Sequence, residues 1–368
     1  MHLFFNLSDT YDFFCSVWPR FPYYISPAQT LFKPFRYLFN ITHKCNLSCF
    51  YCCQKKMASP ARAELSLEAI LAIVGKLPWY AVIVLSGGEP LCRKDFPEIL
   101  KGITRQKKKM ALLTNGLLLN DAIINDLIQN KLLNLGIAID GNQKYYDEIK
   151  GKGNYAILMD KIDRLTFYKK KMASSLPAFD WKVTVFPENI GQLPLLYESA
   201  VRYGADTFTV SFPKKNSLQF NDCLHGPDML DFINGSNDTS CFPDNTFEIY
   251  KELFTMSRHV KTKLRTYPYL KQAGDLHNYF DTSPVEKRYS VCREPWSGMV
   301  ISSTGEAYPC LSVRIGDLKK QSLPQILTSA ENRHFRKQLT KQGIFPVCDG
   351  CCYARLKSVS AKEKAIRA

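Results

Sequence analysis

The sequence predicts an α/β protein in which a parallel sheet covered by helices is followed by a small cysteine-rich domain. Three observations carry this. Short, nearly continuous apolar runs of strand length recur between residues 36 and 212. Helical patterns lie between them. Cysteines at metal-ligand spacing gather at two places, directly after the first run and near the C-terminus. Apolar strands alternating with helices are the pattern of a parallel sheet buried on both faces.

"RYLFNIT" (36–42) reads as the first strand. A helix follows over 66–77, with Ser66 as its N-cap. "AVIVLS" (81–86), "MALLT" (110–114), "LGIAID" (135–140), "WKVTVF" (181–186) and "DTFTVSF" (206–212) repeat the strand type. Helices are expected over 95–108, 121–131, 154–169 and 192–203. This makes six strand–helix units, which an open doubly wound sheet and a barrel or partial barrel satisfy equally. Residues 213–290 are less regular, with turn-forming clusters such as "NGSNDTS" (234–240) and a helix around 244–259. They read as the sixth helix plus an insertion or connector. Residues 291–355 form the second domain, opening with a hairpin-like "GMVISSTGEAYPCLSV" that turns at Thr304-Gly305. Residues 356–368 read as a solvated tail and 1–35 as an N-terminal extension.

Composition excludes several classes. With 45% hydrophobic and 23% charged residues in 368, the chain has the profile of a globular protein. No apolar run reaches the roughly 18 residues that a membrane span needs. The aromatic N-terminus lacks a basic segment, carries Asp9 and Asp12 and shows no cleavage site, so a signal peptide is not expected and the protein is placed in the cytoplasm. The net charge of +15 reads first as a lysine-rich solvated surface and second as attraction to an acidic partner such as an acidic peptide. Nucleic acid is given little weight.

Thirteen cysteines are many for a chain without an export signal, and seven fall into close groups. That pattern points to metal or cluster binding rather than disulfides. Cys15, Cys92, Cys223 and Cys241 stand alone and read as small buried residues. "ITHKCNLSCFYCCQ" (41–54) places Cys45, Cys49 and Cys52 on the loop after the first strand. Parallel α/β folds build their active sites at that end. Three thiolates can hold three irons of a 4Fe–4S cubane and leave the fourth open to a ligand. Cys53, next to Cys52, should point away from it. A zinc site usually pairs C-x2-C with a second pair, which suits a C-x3-C start less well.

"CNLSCFYC" (45–52) resembles the signature of the radical S-adenosylmethionine (SAM) enzymes, and "LSGGEP" (85–90) resembles their GGEP motif. The resemblance implies a partial (β/α)6 barrel. It implies a 4Fe–4S cluster on Cys45, Cys49 and Cys52, whose open iron chelates SAM. Reductive cleavage then yields a 5′-deoxyadenosyl radical that abstracts hydrogen from substrate. It further implies that Gly87 and Gly88 let backbone approach the methionine part, that Glu89 pairs with its ammonium, and that Pro90 fixes the turn. Tyr51 resembles the aromatic that packs on adenine, although simple loop packing accounts for it equally. The catalytic base is unknown.

"IAIDGNQKYYDEIKGKGNYAILMDKI" (137–162) resembles the strand-four region of sulfatase-maturase-like members, which makes Asp140 and Asn115 candidate SAM contacts. Ala138, Tyr146 and Lys150 depart from that pattern; Lys150 keeps the charge of the usual Arg without its bidentate fork. Finally, Cys292, Gly305, Cys310 and "CDGCC" (348–352) resemble SPASM and twitch domains. They imply a second, auxiliary 4Fe–4S cluster on Cys292, Cys310, Cys348 and Cys351, with Cys352 as an alternative to Cys351. A structural zinc knuckle is the plain alternative. The resemblance covers about two thirds of the chain.

Oxidative modification of a peptide or protein is the expected function. Dehydrogenation of a small alcohol or amine, as by an aminocyclitol- or sugar-acting enzyme, is the alternative, and a non-catalytic zinc or nucleic-acid binder is the second. A reducing partner such as flavodoxin or ferredoxin is implied. The short segment before the barrel leaves leader-peptide recognition to a separate carrier.

Overall fold

In the computed structural model, residues 20–25, 33–52, 63–213, 242–310 and 313–358 are described. Cys15, Cys53, Cys223, Cys241, the 234–240 cluster and residues 359–368 of the expected tail lie outside them. Seven parallel strands run in sequence order: β1 (Arg36–Thr42), β2 (Val82–Gly87), β3 (Lys109–Thr114), β4 (Asn134–Ala138), β5 (Ala178–Thr184), β6 (Thr207–Ser211) and β7 (Lys263–Tyr267). The order never reverses. A doubly wound sheet would need a point where it does, so the strands form the barrel-type arrangement, an open partial barrel.

The helices follow from the sequence locally. Leu67–Lys76 is capped by Ser66, whose side chain accepts the Ala69 N–H, and it buries Ile70, Ile73 and Val74. Asp121–Gln129 is capped by Asn120 and Gln143–Lys150 by Asn142 in the same way. Phe96–Arg105, Asn154–Lys171 and Leu193–Arg202 complete the helices between the first six strands.

Period-2 alternation gives the sheet two unlike faces. One carries Tyr37, Phe39, Ile83, Leu85, Phe179, Trp181, Phe208 and Val210, all essentially buried in the helix-covered core. By the same alternation the other carries Arg36, Asn40, Thr42, Asp180, Lys182, Thr209 and Arg265. A polar inner face on a barrel is a site, because buried polar groups are retained only where something satisfies them.

Two elements differ from the sequence reading. The stretch read as a connector contains, after the expected helix (Thr246–Met256), the seventh barrel strand. "KLRTY" lacks an apolar run because its inward positions are Lys263, Arg265 and Tyr267. The hairpin of the second domain also joins the barrel. Its first strand, β8 (Gly298–Ile301), pairs in parallel with β1, Arg36 opposite Gly298 and Phe39 opposite Ile301. The hairpin turns where expected, at Gly305 with φ +96°, and returns antiparallel as β9 (Glu306–Tyr308). With β10 (Gly316–Asp317) the sheet has ten strands. Leu356, in the expected tail, is buried and bridged to Tyr289.

Candidate functional site

Cys45, Cys49 and Cys52 lie on the loop at the carboxyl end of β1. Two backbone bonds tie that loop to the end of β2: Gly88 N–H donates to Thr42 O at 2.8 Å and Glu89 N–H to Lys44 O at 2.8 Å. The glycines are needed here. A Cβ on Gly87 would stand 2.3 Å from Thr42 O, and one on Gly88 2.3 Å from Lys44 O and 2.6 Å from His43 O. Gly87 also has φ +142°. The immediate reason for the glycine pair is therefore close approach to the cysteine loop's own backbone. Glu64 supports the same loop, accepting from Thr42 Oγ1 at 2.9 Å and from His43 N–H at 2.7 Å.

Within the loop, Cys52 N–H donates to Cys49 O and Leu47 N–H donates to Cys45 Sγ at 3.4 Å. Burial raises the thiol pKa of Cys45 and Cys49, and both feel the charge of Cys52. Cys92, read from the sequence as an isolated buried residue, lies beside this set: its thiol accepts the Asn46 N–H and interacts with Cys45. Only the fold brings it there, through the turn Pro90–Cys92 that Pro90 begins.

Glu89 is 1% exposed. Its Oε1 accepts from Thr114 Oγ1 at 2.7 Å and Leu91 N–H at 3.1 Å, and its Oε2 from Asn115 N–H at 2.7 Å. Burial raises its pKa, opposed by these three bonds. A carboxylate has about four acceptor positions, so one on Oε2 is left for a ligand cation. Asn115 turns its side chain to the cysteine loop, Nδ2 donating to Asn46 Oδ1 at 2.8 Å.

Asp140, fully buried, has three protein partners on its carboxylate. Oδ1 accepts the Thr184 N–H at 2.7 Å; Oδ2 accepts Tyr51 Oη–H at 2.5 Å and faces Lys150 Nζ at 2.7 Å. Lys150, 4% exposed, also donates to Ala138 O and stands over the Tyr146 ring. The lysine that replaces the usual arginine is thus committed to a carboxylate of this chain. Tyr51 packs its ring on Phe186 (5.0 Å) and Phe50 (5.1 Å), the loop-packing reading of that residue. The sequence reading missed Asn40. It is 4% exposed on the inner face of β1, and its Oδ1 is buried without a partner among the described residues. The alternation of "RYLFNIT" was the available signal.

The second cysteine set is housed differently. Cys292, Cys310, Cys348 and Cys351 all pack against the main hydrophobic cluster. Burial pushes the Cys292 thiol up to about 12 and that of Cys348 well above its usual range, and Cys348 feels both Cys292 and Cys310. The "CDGCC" loop is fixed by Asp349, which takes a buried two-point bond from Arg288 (3.0 and 2.6 Å) and another from Tyr289 Oη–H (2.8 Å). Cys292 N–H donates to Gly343 O at 2.8 Å, closing the second side. Cys351 packs against the main cluster, whereas Cys352 lines a cavity that Cys292 also lines.

Both sets fit iron–sulfur clusters by donor chemistry. The donor type at both is the cysteine thiol, although no group of three metal-holding side chains is drawn together among the described residues, and a coordinating metal deprotonates thiols that burial would otherwise keep neutral and inert. The buried, unpartnered Asn40 Oδ1 and the remaining Glu89 position are the acceptors beneath the first set.

Comparison with known proteins agrees. The Radical SAM superfamily profile matches residues 39–172, and the SPASM profile, described as an iron–sulfur cluster-binding domain, matches 292–352. An AdoMet-dependent heme synthase of Methanosarcina barkeri is 24% identical over 335 residues, 86% of this chain and 88% of that protein. The antilisterial bacteriocin subtilosin biosynthesis protein AlbA of Bacillus subtilis is 24% identical over 75% of this chain; the chain spans 55% of AlbA. Streptococcus suis SuiB, in a crystal structure with its precursor peptide SuiA, has the same fold, with a TM-score of 0.60 at 15% identity over 87% of this chain and 71% of SuiB. No described helix is long and apolar enough to cross a membrane. The chain carries a Radical SAM domain, with a SAM-binding 4Fe–4S site, followed by a C-terminal SPASM domain with an auxiliary iron–sulfur site.

Proposed function

We propose that the chain is a radical SAM oxidoreductase that modifies a peptide. The observation that carries this is the enclosed second cysteine set, four donors packed against the core beside a cavity that opens on the polar inner face of the barrel. Four protein donors make a closed site, suited to taking an electron rather than to binding substrate. AlbA, named for bacteriocin biosynthesis, and SuiB, seen with a precursor peptide, support the peptide as substrate class.

In this reading Cys45, Cys49 and Cys52 hold the SAM-binding cluster, and Cys292, Cys310, Cys348 and Cys351 hold the auxiliary one. The first cluster, once reduced, supplies the 5′-deoxyadenosyl radical from SAM. This chain's own residues do the positioning. Glu89 receives the ammonium of SAM on Oε2 while pinning the ends of β2 and β3 together. Gly87, Gly88 and Pro90 shape the turn that carries it. Asn115 braces the cysteine loop through Asn46. Asp140, with Lys150 and Tyr51, locks the loop to β4 and β5. The overall change is loss of two hydrogens from the peptide: one atom goes to the radical, and one proton and one electron leave afterwards. Ferredoxin or flavodoxin is the reductant class, and the barrel (36–212 with β7) and the C-terminal domain (291–355) are the two working parts.

The test is incubation of the reduced, cluster-loaded protein with SAM and a short precursor peptide encoded beside its gene. Formation of 5′-deoxyadenosine together with a peptide lighter by one H2 is expected; 5′-deoxyadenosine with an unchanged peptide would refute the peptide reading. Glu89→Gln is expected to weaken SAM binding about tenfold, because an amide pairs with an ammonium less well than a carboxylate does.

A further inference from the structure

The cavity beside Cys292 and Cys352 has a volume of about 460 Å³ and runs between β7 and the C-terminal domain. Five cations line it, Arg36, Lys263, Arg265, Arg293 and Arg355, against one acid, Glu294. Glu294 is already taken by Arg36 in an ion pair. Asp180, behind Arg265, divides its charge among Arg265 (3.5 Å), Lys182 (3.3 Å) and Thr209. Two guanidiniums have no carboxylate partner among the described residues. Arg293 donates to the neutral Tyr24 hydroxyl, and its Nε is buried without a partner. Arg355 is stacked on Tyr269 at 5.5 Å.

Stacking recurs around this cavity. Arg36 lies over the Tyr353 ring at 4.7 Å and Arg293 over Tyr23 at 5.2 Å. A ring beneath a guanidinium restricts its position without using its N–H donors, so the heads of Arg293 and Arg355 are placed before any ligand arrives, while Arg36 is held by Glu294. A concavity with this excess of positive charge concentrates potential and draws in an anion. Guanidinium edges match carboxylates through paired N–H···O bonds.

We propose that this cavity binds an acidic side chain, Asp or Glu, of the peptide substrate and so places that part of the peptide beside the auxiliary site. The proposal rests on the peptide reading above. The competing use of these cations is to offset the negative charge of the auxiliary cluster itself. Arg293, next to Cys292 and lowering its pKa, is placed for that. Arg265 stands on β7 and Arg355 comes from the chain after Cys352, so they separate the two uses.

The experiment uses the full chain with both clusters loaded. The probes are two fluorescently labelled peptides blocked at both ends, one alternating Gly and Glu, the other Gly and Gln. The parent protein is expected to bind the Glu probe about tenfold more tightly than the Gln probe, from charge-assisted hydrogen bonds. Arg265→Gln and, at the exposed position, Arg355→Glu are expected to remove that preference while iron content and the cluster absorption spectrum stay as in the parent. Measurable but equal binding of the two peptide probes by the parent would overturn the proposal, as would failure of all three probes to bind. So would variants that keep the preference but lose the cluster spectrum, because the cations would then belong to the cluster. The tetracarboxylate coproporphyrin III is the third probe. If it binds in an Arg355-dependent way while neither peptide binds, the anion site stands and the peptide reading falls.

Discussion

Cys45, Cys49 and Cys52 stand on a loop after β1, with Cys45 exposed, that is held by backbone bonds from Gly88 and Glu89. Cys292, Cys310, Cys348 and Cys351 are partly buried and packed against the core, and the loop of the last two is held by the buried Arg288–Asp349 pair. The first arrangement leaves Cys45 exposed to solvent, where a ligand can reach it. The second opens to the cavity at Cys292 and otherwise packs against the core. Donor type is the same at both; what differs is the balance of support, mostly main-chain bonds with Glu64 in one and a buried Arg288–Asp349 pair with one main-chain bond in the other. Damage to the first should therefore spread little through the fold, and damage to the second should spread widely.

The sharpest way to break this contrast is to replace Cys45, Cys49 and Cys52 together by Ala. Formation of 5′-deoxyadenosine should cease, and iron should fall to about half of the roughly eight expected from two clusters. The melting temperature should move by no more than about 2 °C, because the loop contributes little to the core. Loss of all iron would show that the sites are not independent. Cys310→Ala probes the other half. It should still produce 5′-deoxyadenosine but no modified peptide, and should melt about 5 °C lower, since metal binding there is coupled to folding of the domain. Normal product in that variant would reduce the second site to a staple. Gly88→Ala tests the main-chain support. A Cβ 2.3 Å from Lys44 O cannot be accommodated without moving the loop; a cost of about 2 kcal/mol is expected in chemical denaturation, with iron lost from the first set alone. Tyr51→Phe should matter least. Asp140 keeps Lys150 and the Thr184 N–H, so stability should drop by about 1 kcal/mol and 5′-deoxyadenosine formation should slow without stopping.

The two regions were also unequally legible. The cysteine loop and "GGEP" are contiguous words, and local spacing carries their chemistry. The first six strands could be read because one face of each is apolar. β7 could not, because its inward positions are two cations and a tyrosine, which mark a connector as readily as a lumen. Cys92 was invisible for a related reason: its neighbour is Cys45, and only a turn between two strands brings them together. From the sequence, Lys150 reads only as a charge-keeping departure from the usual arginine, and its partner, Asp140, lies across an internal helix start that no spacing rule encodes. The anion cavity draws its cations from β1, β7 and the C-terminal domain, so it exists only after those segments meet.

The parallel pairing of β8 with β1 carries a consequence for how the protein is made. β1 gains its second neighbour from a segment about 260 residues further along the chain. At ribosomal speeds of about 5–20 residues per second, that edge of the nascent sheet waits on the order of tens of seconds for its cover. The cysteine loop and the glycines beneath it are synthesised early, so the SAM end can be assembled while the other end of the same strand is still open. An uncovered parallel edge is a template for pairing with other chains. The last domain therefore acts on every newly made molecule as the cap that ends this exposure, before it takes part in any turnover.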